Sequence, residues 1–156
     1  MNNDEKFMRL ALEQAKIAYS LGEAPIGAVI VKNGEIVGTG YNRRETGKNA
    51  LAHAEIIAID SACKSLGGWR LWECELYVTL EPCPMCAGAI INSRIRRLIY
   101  GASDKKAGSV ESVVKMLELP YNHKPPALGG VLADECSKLL KSFFKQLRDN
   151  KKRNQN

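Results

Sequence analysis

Apolar residues recur along this chain at two spacings, and the change from one to the other predicts a series of helices and strands. A helical stripe of apolar side chains covers residues 4–21. Two apolar runs, 26–32 and 35–42, then flank Asn33-Gly34, a dipeptide typical of a two-residue hairpin turn. The first two strands are therefore expected to pair as an antiparallel hairpin.

The rest of the chain alternates between the helical and the extended pattern. Helices are predicted over 54–66, 84–92, 112–119 and 134–148, and strands over 75–80, 97–102 and 127–132. Residues 150–156 form a polar tail that is predicted to be disordered. The order of elements predicts an α/β fold, a three-layer α-β-α domain with a central mixed five-stranded sheet, built by residues 1–149 as a single domain.

Composition and charge narrow the class of protein. With 45% hydrophobic and 26% charged residues, the 156-residue chain looks like an ordinary globular domain, and no apolar run approaches a membrane span. No secretory signal is visible, and five cysteines, an odd number, favour a reducing compartment. A cytoplasmic location is expected. The net charge is +6, concentrated near the C-terminus, which fits either phosphate contacts or a solvated helix face.

The strongest chemical signal is a split metal motif. His53-Ala54-Glu55 precedes Cys83 and Cys86, which are spaced C-x-x-C after a proline. One imidazole and two thiolates leave the fourth position of a tetrahedral zinc for water, as in catalytic sites, and a nearby carboxylate can move protons for that water. The pattern H-x-E…P-C-x-x-C is the signature of zinc nucleobase deaminases.

Two alternatives compete with a catalytic zinc. A structural zinc would need a fourth ligand, for which His123, Cys63, Cys74 and Cys136 are the candidates, although none lies at a ligand spacing from another. A redox C-x-x-C pair would leave the H-x-E segment unexplained. Both metal half-motifs are predicted at helix N-termini, where partial positive charge favours thiolate over thiol. The remaining three cysteines are expected to be buried free thiols.

The segments around the motif resemble one family, the bacterial tRNA-specific adenosine deaminases of the TadA type, within the cytidine deaminase-like superfamily. The resemblance covers nearly all of residues 7–148. It rests on Ala24-Pro25-Ile26-Gly27-Ala28-Val29, Tyr41-Asn42-Arg43, Ala52-His53-Ala54-Glu55, Trp69-Arg70-Leu71, the run 76–89, Asn122-His123, Gly130-Val131-Leu132 and Phe143-Phe144. The zinc motif indicates the superfamily, and the flanking segments indicate this branch.

The resemblance implies a function and a set of site residues. It implies a homodimer that deaminates adenosine to inosine at the wobble position of a tRNA anticodon, with one Zn²⁺ per subunit bound by His53, Cys83 and Cys86. It also implies that Glu55 shuttles protons. The residues that it places near substrate are Asn42, Ala28, Val29, Ala54, Asp104, Asn122, His123, Phe144 and Arg148.

Some residues depart from the family pattern or allow a second interpretation. Val110 and Glu111 replace small residues, and Glu111 adds negative charge where RNA is expected to approach. Asn42 could satisfy a turn, Asp104 could cap a loop, and Glu81 could either support the site or form a turn with the next proline. Trp69 and Trp72 are interpreted as packing residues.

Two other functions remain open at this stage. One is a deaminase of a free nucleobase or nucleoside such as guanine, cytosine or cytidine, because the zinc motif does not select the base. The other, from a different class, is a non-catalytic RNA-binding subunit, which the presence of Glu55 disfavours.

Overall fold

The computed structural model describes residues 2–155 and places a mixed sheet between two layers of helices. The helices are α1 (Asn3–Ser20), α2 (Ala54–Leu66), α3 (Pro84–Asn92) and α4 (Ala133–Asn154), with a short 3-10 helix at Met116–Glu118. The strands are β1 (Gly27–Lys32), β2 (Glu35–Tyr41), β3 (Cys74–Leu80), β4 (Arg97–Ala102) and β5 (Ala127–Leu128). The predicted fold class is confirmed.

The sheet has the order β2-β1-β3-β4-β5 and changes direction in its middle. β1 is antiparallel to both β2 and β3, whereas β3, β4 and β5 run parallel. The hairpin turn is confirmed, because Asn33 and Gly34 have φ of 51° and 78°, the positive values that a type I′ turn requires at both positions. As a result, the start of β1 and the ends of β2, β3 and β4 lie at one edge of the sheet.

Each face of the sheet carries its own core. On one face, Ala28, Ile30 and Val78 pack with residues of α2 and α3. On the other face, Val29 and Tyr77 pack with α1 and the start of α4. Consecutive strand residues point to opposite faces, so the two cores alternate along each strand. This alternation is the physical basis of the three layers.

Two predicted elements are shorter than expected. Of the helix predicted over 112–119, only the 3-10 turn Met116–Glu118 forms, and of the strand predicted over 127–132, only Ala127–Leu128 pairs with β4. The N–H groups of Val110, Glu111 and Ser112 donate to the Glu81 carboxylate, so this backbone is satisfied without a helix. Glycines follow Leu128 directly and end the strand.

The final helix is longer than predicted. α4 continues past Arg148 to Asn154, so most of the tail that was predicted to be disordered is helical. The added segment contains neither glycine nor proline, so nothing in it breaks the helix. Its last turn carries Lys151, Lys152 and Arg153, and these positive charges interact favourably with the partial negative charge at the C-terminal end of the helix. The helix begins one residue earlier than predicted, at Ala133, and its N-cap residue is Leu132 with φ of 54°.

Candidate active site

The predicted metal ligands converge at the edge of the sheet where α2 and α3 begin. His53 is the N-cap residue of α2 and Cys83 is the N-cap residue of α3, while Cys86 lies in the first turn of α3. Pro84 occupies the first turn of α3, where its missing N–H costs no helical hydrogen bond. Both helices therefore direct their N-termini, and the partial positive charge there, toward the same point.

The distances within this triad suit a metal ion. His53 Nδ1 lies 3.6 Å from Cys83 Sγ and 3.6 Å from Cys86 Sγ, and all three ligand atoms are within 4.8 Å of one another. Two ligands at tetrahedral angles around zinc, at roughly 2.0 and 2.3 Å, would stand about 3.5 Å apart. The triad therefore has the size and the donor set of a zinc site.

The electrostatics of the thiols also favour a cation. Hydrogen bonding with Cys86 and with His53 lowers the pKa of Cys83 to about 4, which makes it a thiolate. The hydrogen bond with Cys83, together with burial, raises the pKa of the Cys86 thiol. Two thiolates at this separation repel each other, and a divalent cation between them removes the repulsion. The pKa of His53 is raised, chiefly by its hydrogen bond with Cys83.

Glu55 is the acid of the site. It lies in the first turn of α2, is only 4% exposed, and burial raises its pKa to about 7. A metal held by the triad would favour its carboxylate form. A carboxyl group that is poised between its two forms near neutral pH is suited to moving protons.

His53, Cys83 and Glu55 form the floor of a cavity of about 230 Å³, while Cys86 of the triad is fully buried. Its walls come from the segments that meet at this edge of the sheet: Ala24, Ile26, Asn42, Arg44, Ala54, Leu80, Glu81, Asp104, Ala107 and Phe144. The cavity mixes apolar walls with a few polar groups, as expected for a site that binds a flat, partly polar ring.

Four of the residues that the family resemblance placed near substrate line this cavity: Asn42, Ala54, Asp104 and Phe144. Asn42 is 7% exposed, and its amide already bonds Ala24 O and the N–H of Arg44. Asp104 Oδ1 accepts hydrogen bonds from the N–H groups of Lys106 and Ala107. Both residues thus have the turn and loop roles that were the alternative interpretation, and both also border the cavity.

Other candidates lie elsewhere among the described residues. Val29 packs on the opposite face of the sheet against α1, and Ala28 is fully buried in the core on the α2 side. The prediction placed both residues near substrate. Because consecutive side chains of a β-strand point to opposite faces of the sheet, Ala28 and Val29 cannot both face one cavity. His123 hydrogen-bonds Ile95 O, just before β4, at the opposite end of the sheet from the cavity.

A basic groove adjoins the cavity and shares Phe144 with it. The groove has a volume of about 480 Å³ and is lined by Lys106, Ser137, Leu140, Lys141, Phe144, Leu147, Arg148 and Lys151. Arg148, predicted to lie near RNA, is therefore in the groove rather than in the cavity. Four cationic side chains and an aromatic ring that is 42% exposed form a surface suited to a single-stranded polyanion.

The two residues that depart from the family pattern differ in exposure, since Val110 is buried and Glu111 is exposed. Val110 is 8% exposed and belongs to the core beneath α3, and the carboxylate of Glu111 accepts a hydrogen bond of 3.0 Å from the Tyr100 hydroxyl. Trp69 and Trp72, predicted to pack inside, are instead 50% and 57% exposed, with the Arg70 guanidinium over both rings.

Sequence patterns missed several residues of the site. Glu23, Ile26, Arg44, Leu80 and Ala107 were not singled out, although all but Glu23 line the cavity and Glu23 holds one of its loops. Of these residues, only Glu23 could have been noticed in the sequence, because it is an acidic residue shortly before the apolar strand β1.

Known proteins resemble this chain in sequence and in fold. The family model of MafB19-like deaminases matches residues 2–148. The fold and the His/Cys/Cys site thus define a deaminase domain of the cytidine deaminase-like class.

The particular family follows from the relatives. The chain is 49% identical over 153 residues to a tRNA-specific adenosine deaminase of Bacillus subtilis, covering 97% of this chain and 95% of that one. The chain belongs to the tRNA-specific adenosine deaminase family.

Solved structures give the same relationship. One, from work on A-to-I editing by tRNA:A34 deaminases at the wobble position of transfer RNA, has a TM-score of 0.83 and 46% identity, covering 86% of this chain and 98% of that chain. A guanine deaminase from Nitrosomonas europaea has a TM-score of 0.75 and 28% identity, covering 89% and 83%.

Proposed function

We propose that this protein hydrolytically deaminates adenosine to inosine at the wobble position of a tRNA anticodon. One observation carries the proposal: a buried carboxyl group, Glu55, lines the same cavity as His53 and Cys83 of the three-residue metal site, and this cavity adjoins a basic groove. The cavity can hold one base, and the groove can hold the strand that carries it. Two of the proteins named above support it: the Bacillus subtilis relative is named a tRNA-specific adenosine deaminase, and one solved structure comes from work on deaminases of the tRNA wobble position.

Zinc is the metal proposed for the triad. His53 Nδ1, Cys83 Sγ and Cys86 Sγ would hold it, and when bound it supplies the Lewis acidity that makes water a nucleophile near neutral pH. Three protein ligands leave one position for water, as in catalytic rather than structural sites. Within residues 2–155, these are the only three side chains that group as metal ligands, so the fourth ligand of a structural zinc is not supplied.

Glu55 performs the proton transfers. Its carboxylate takes a proton from the attacking water and delivers it to the adjacent ring nitrogen as oxygen adds to C6 of adenine. The same carboxyl group then moves the remaining proton from the C6 hydroxyl to the amino group, and the C6–N bond breaks to release ammonia as the C6 oxygen becomes a carbonyl. Burial keeps bulk water away from Glu55, so the protons stay between water and base.

The walls of the cavity supply the substrate contacts in this proposal. The Asn42 amide and the Asp104 carboxylate border the base and its sugar, Ala54 contacts the base, and Phe144 stacks on a neighbouring base. Arg148 binds phosphates in the groove. Neither Asn122 nor His123 lines this cavity, so in this proposal they contact RNA through a separate surface, where Asn122 is exposed and His123 hydrogen-bonds Ile95 O.

A homodimer in the cytoplasm, where tRNA is found, is also part of the proposal. Several large apolar side chains are exposed in the single subunit and could be covered in a dimer, including Leu51 at 57%, Trp72 at 57% and Val113 at 60%. No helix within residues 2–155 combines the length and the apolar character needed to cross a membrane. Light scattering after size exclusion should give about twice the 17.2 kDa chain mass. A monomer at micromolar concentration would contradict this part.

The substrate is tested by ammonia release from the zinc-loaded protein. An anticodon stem-loop with adenosine at the wobble position is compared with free adenosine, cytidine and guanine, at low and at moderate salt. We expect conversion of the stem-loop alone, with an apparent affinity that falls as salt rises. The similarity to a guanine deaminase makes free guanine the main rival. Salt-independent conversion of guanine would overturn the RNA substrate and retain the zinc chemistry.

A further inference from the structure

Two carboxylates outside the catalytic group are buried at the rim of the cavity. Glu23 is fully buried and Glu81 is 2% exposed. Each accepts backbone N–H hydrogen bonds from a loop that is distant in sequence. Burying a charged carboxylate costs free energy unless it is well hydrogen-bonded, so both side chains need the loops to adopt their observed conformations.

Glu81 holds the loop that follows β4. Its Oε1 accepts hydrogen bonds from the Asp104 N–H, at 3.1 Å, and from the Ser112 hydroxyl. Its Oε2 accepts three more, from the N–H groups of Val110, Glu111 and Ser112 at 3.2, 2.9 and 2.9 Å. One carboxylate therefore fixes both ends of the segment 104–112.

The same loop is packed directly on this carboxylate. A Cβ atom added to Gly108 would lie 2.3 Å from Glu81 Cδ and 2.4 Å from the Asp104 carbonyl oxygen, so a larger residue cannot be accommodated there without movement. The Gly108 N–H also donates to that carbonyl oxygen. The loop is thus wrapped around the end of β3.

Glu23 has the matching role on the other side of the cavity. Its two oxygens accept hydrogen bonds from the N–H groups of Glu45, at 3.1 Å, and Thr46, at 2.6 Å, in the loop that follows β2. The antiparallel pairing of Gly27 with Tyr41 brings the start of β1 next to the end of β2, which places Glu23 beside this loop.

Both loops contribute walls of the cavity. Asp104 and Ala107 come from the loop held by Glu81, and Arg44 comes from the loop held by Glu23. Neither loop is part of a helix or strand. Backbone hydrogen bonds such as Arg43 N–H to Ala52 O and Ser109 N–H to Pro82 O also hold the loops, so the two carboxylates act at the N–H groups that they accept.

We propose that Glu23 and Glu81 are positioning residues for the deamination, which fix the two loops at the mouth of the cavity so that the RNA strand meets a preformed entrance. This inference rests on the proposed function. A preformed entrance avoids the entropy cost of ordering the loops when RNA binds. The two carboxylates therefore affect substrate binding. They do not take part in the proton transfers at Glu55.

The Glu81→Gln variant tests one anchor with little change in shape. Its single amide oxygen can still accept the N–H groups of residues 110–112, but its NH₂ group then faces the N–H of Asp104, which loses its acceptor. We expect KM for the wobble stem-loop to rise about tenfold and kcat to stay within about twofold. Ser112→Ala is the matched control, because it removes only the hydroxyl contact, and its KM should stay near that of the native protein.

Amide hydrogen exchange without RNA provides a second readout that does not depend on activity. In Glu81→Gln, exchange should speed up at Asp104 and leave Glu45 and Thr46 unchanged. In Glu23→Gln, the pattern should reverse, which keeps the proposal testable if one variant folds poorly. Unchanged exchange at the released loop, or a loss of kcat with constant KM, would overturn the proposal. Failure of the native protein to convert any stem-loop would instead refute the proposed function, and the exchange data would still decide whether the carboxylates hold the loops.

Discussion

Glu55 is the side chain on which the proposed chemistry depends most directly. It is buried beside the triad, and burial raises its pKa to about 7. It is also held in the first turn of α2, two residues from the ligand His53. The helix therefore fixes the proposed metal ligand His53 and the proposed proton carrier Glu55 relative to each other. For this reason the short H-x-E spacing is enough to predict both roles.

Replacing Glu55 should separate metal binding from turnover. In Glu55→Ala, we expect about one zinc per chain to remain, since the three ligands are intact, whereas turnover should fall by at least about 10²–10⁴-fold. Metal analysis and single-turnover inosine formation measure the two properties. Glu35→Ala, at the exposed hairpin turn, serves as the control. Near-native turnover without Glu55 would show that another group moves the protons.

Replacing one ligand should remove the metal and the activity together. Cys83→Ala leaves two ligands, so zinc content should fall well below one per chain and turnover should be lost. Cys63→Ala is the matched control, because Cys63 is half-buried in α2 outside the triad and its loss should leave one zinc bound. A Cys83→Ala protein that retains stoichiometric zinc would contradict the ligand assignment.

The sequence predicted which residues would lie close together where a motif encodes their spacing, and it missed residues that only the fold brings together. The triad and Glu55 were predictable because each half-motif lies within one helix N-terminus. Glu23 and Arg44 could not be recognised in the same way, since their roles arise only when the β1–β2 hairpin closes. Val29 was wrongly assigned to the pocket because the family resemblance gives no face of the sheet.

At the scale of elements, the position of the catalytic helix depends on two glycines in β2. A Cβ atom on Gly40 would lie 2.3 Å from Ala54 O, and one on Gly38 would lie 2.5 Å from Ala58 O. Helix α2 therefore rests on the β2 backbone itself. Gly40 contacts the first turn of the helix, next to the ligand His53, whereas Gly38 contacts it one turn further along.

This difference predicts distinct effects of two similar substitutions. Gly40→Ala and Gly38→Ala should each destabilise the fold by roughly 1–3 kcal/mol, because both force α2 away from the sheet. Only Gly40→Ala displaces the first turn, so it should also weaken zinc binding. Urea unfolding and competition with a chelator measure the two effects. Equal zinc affinity in both variants would argue against this role of Gly40.

The elements themselves were predictable to different degrees. α2, α3 and β4 have the predicted boundaries, since capping residues, prolines and apolar periodicity agree there. The sequence pattern predicted a helix over 112–119. Its first residue, Ser112, is instead held in a loop by hydrogen bonds to Glu81, which is 31 positions earlier in the chain. Such a long-range contact overrides local propensity and leaves no periodic signal in the sequence.

At the scale of the whole molecule, a charged cluster joins the N-terminus to the parallel part of the sheet. Arg97 in β4 donates hydrogen bonds to both oxygens of Asp4, at 3.0 and 2.8 Å, and also to Glu75 in β3. The Tyr77 hydroxyl donates to Asp4 as well. The hydrogen bonds from Arg97 are the main reason that the pKa of Asp4 lies below its ordinary value of 3.8.

Asp4→Asn should therefore have a stability cost that depends on pH. A lowered folded pKa means that the charge of Asp4 stabilises the fold above about pH 4, and that this contribution disappears as pH falls through the folded value. Urea unfolding should show a loss of about 1–2 kcal/mol at pH 7 that shrinks near pH 3. Asp60→Asn, in an exposed pair with Lys64, should cost under about 0.5 kcal/mol. A cost for Asp4→Asn that is constant with pH would contradict this account.

The arrangement of the whole molecule also gives the proposed function its selectivity. The cavity accepts one base, and the basic groove beside it accepts the neighbouring strand, so the base to be deaminated must be unpaired and must sit at a fixed distance along the RNA. The net charge of +6 attracts RNA without selecting a sequence. Selectivity for one position in the loop must then come from the shape of the entrance.

The most direct test compares two zinc-loaded reactions on matched anticodon stem-loops. One stem-loop carries its single adenosine at the wobble position, and the other carries it one nucleotide toward the 3′ side. Inosine is located by mass analysis of nuclease fragments, with the Glu55→Ala protein as the blank. We expect inosine at the wobble position in the first stem-loop and none in the second. Equal conversion of both, or no conversion of either by a protein that deaminates free guanine, would contradict it.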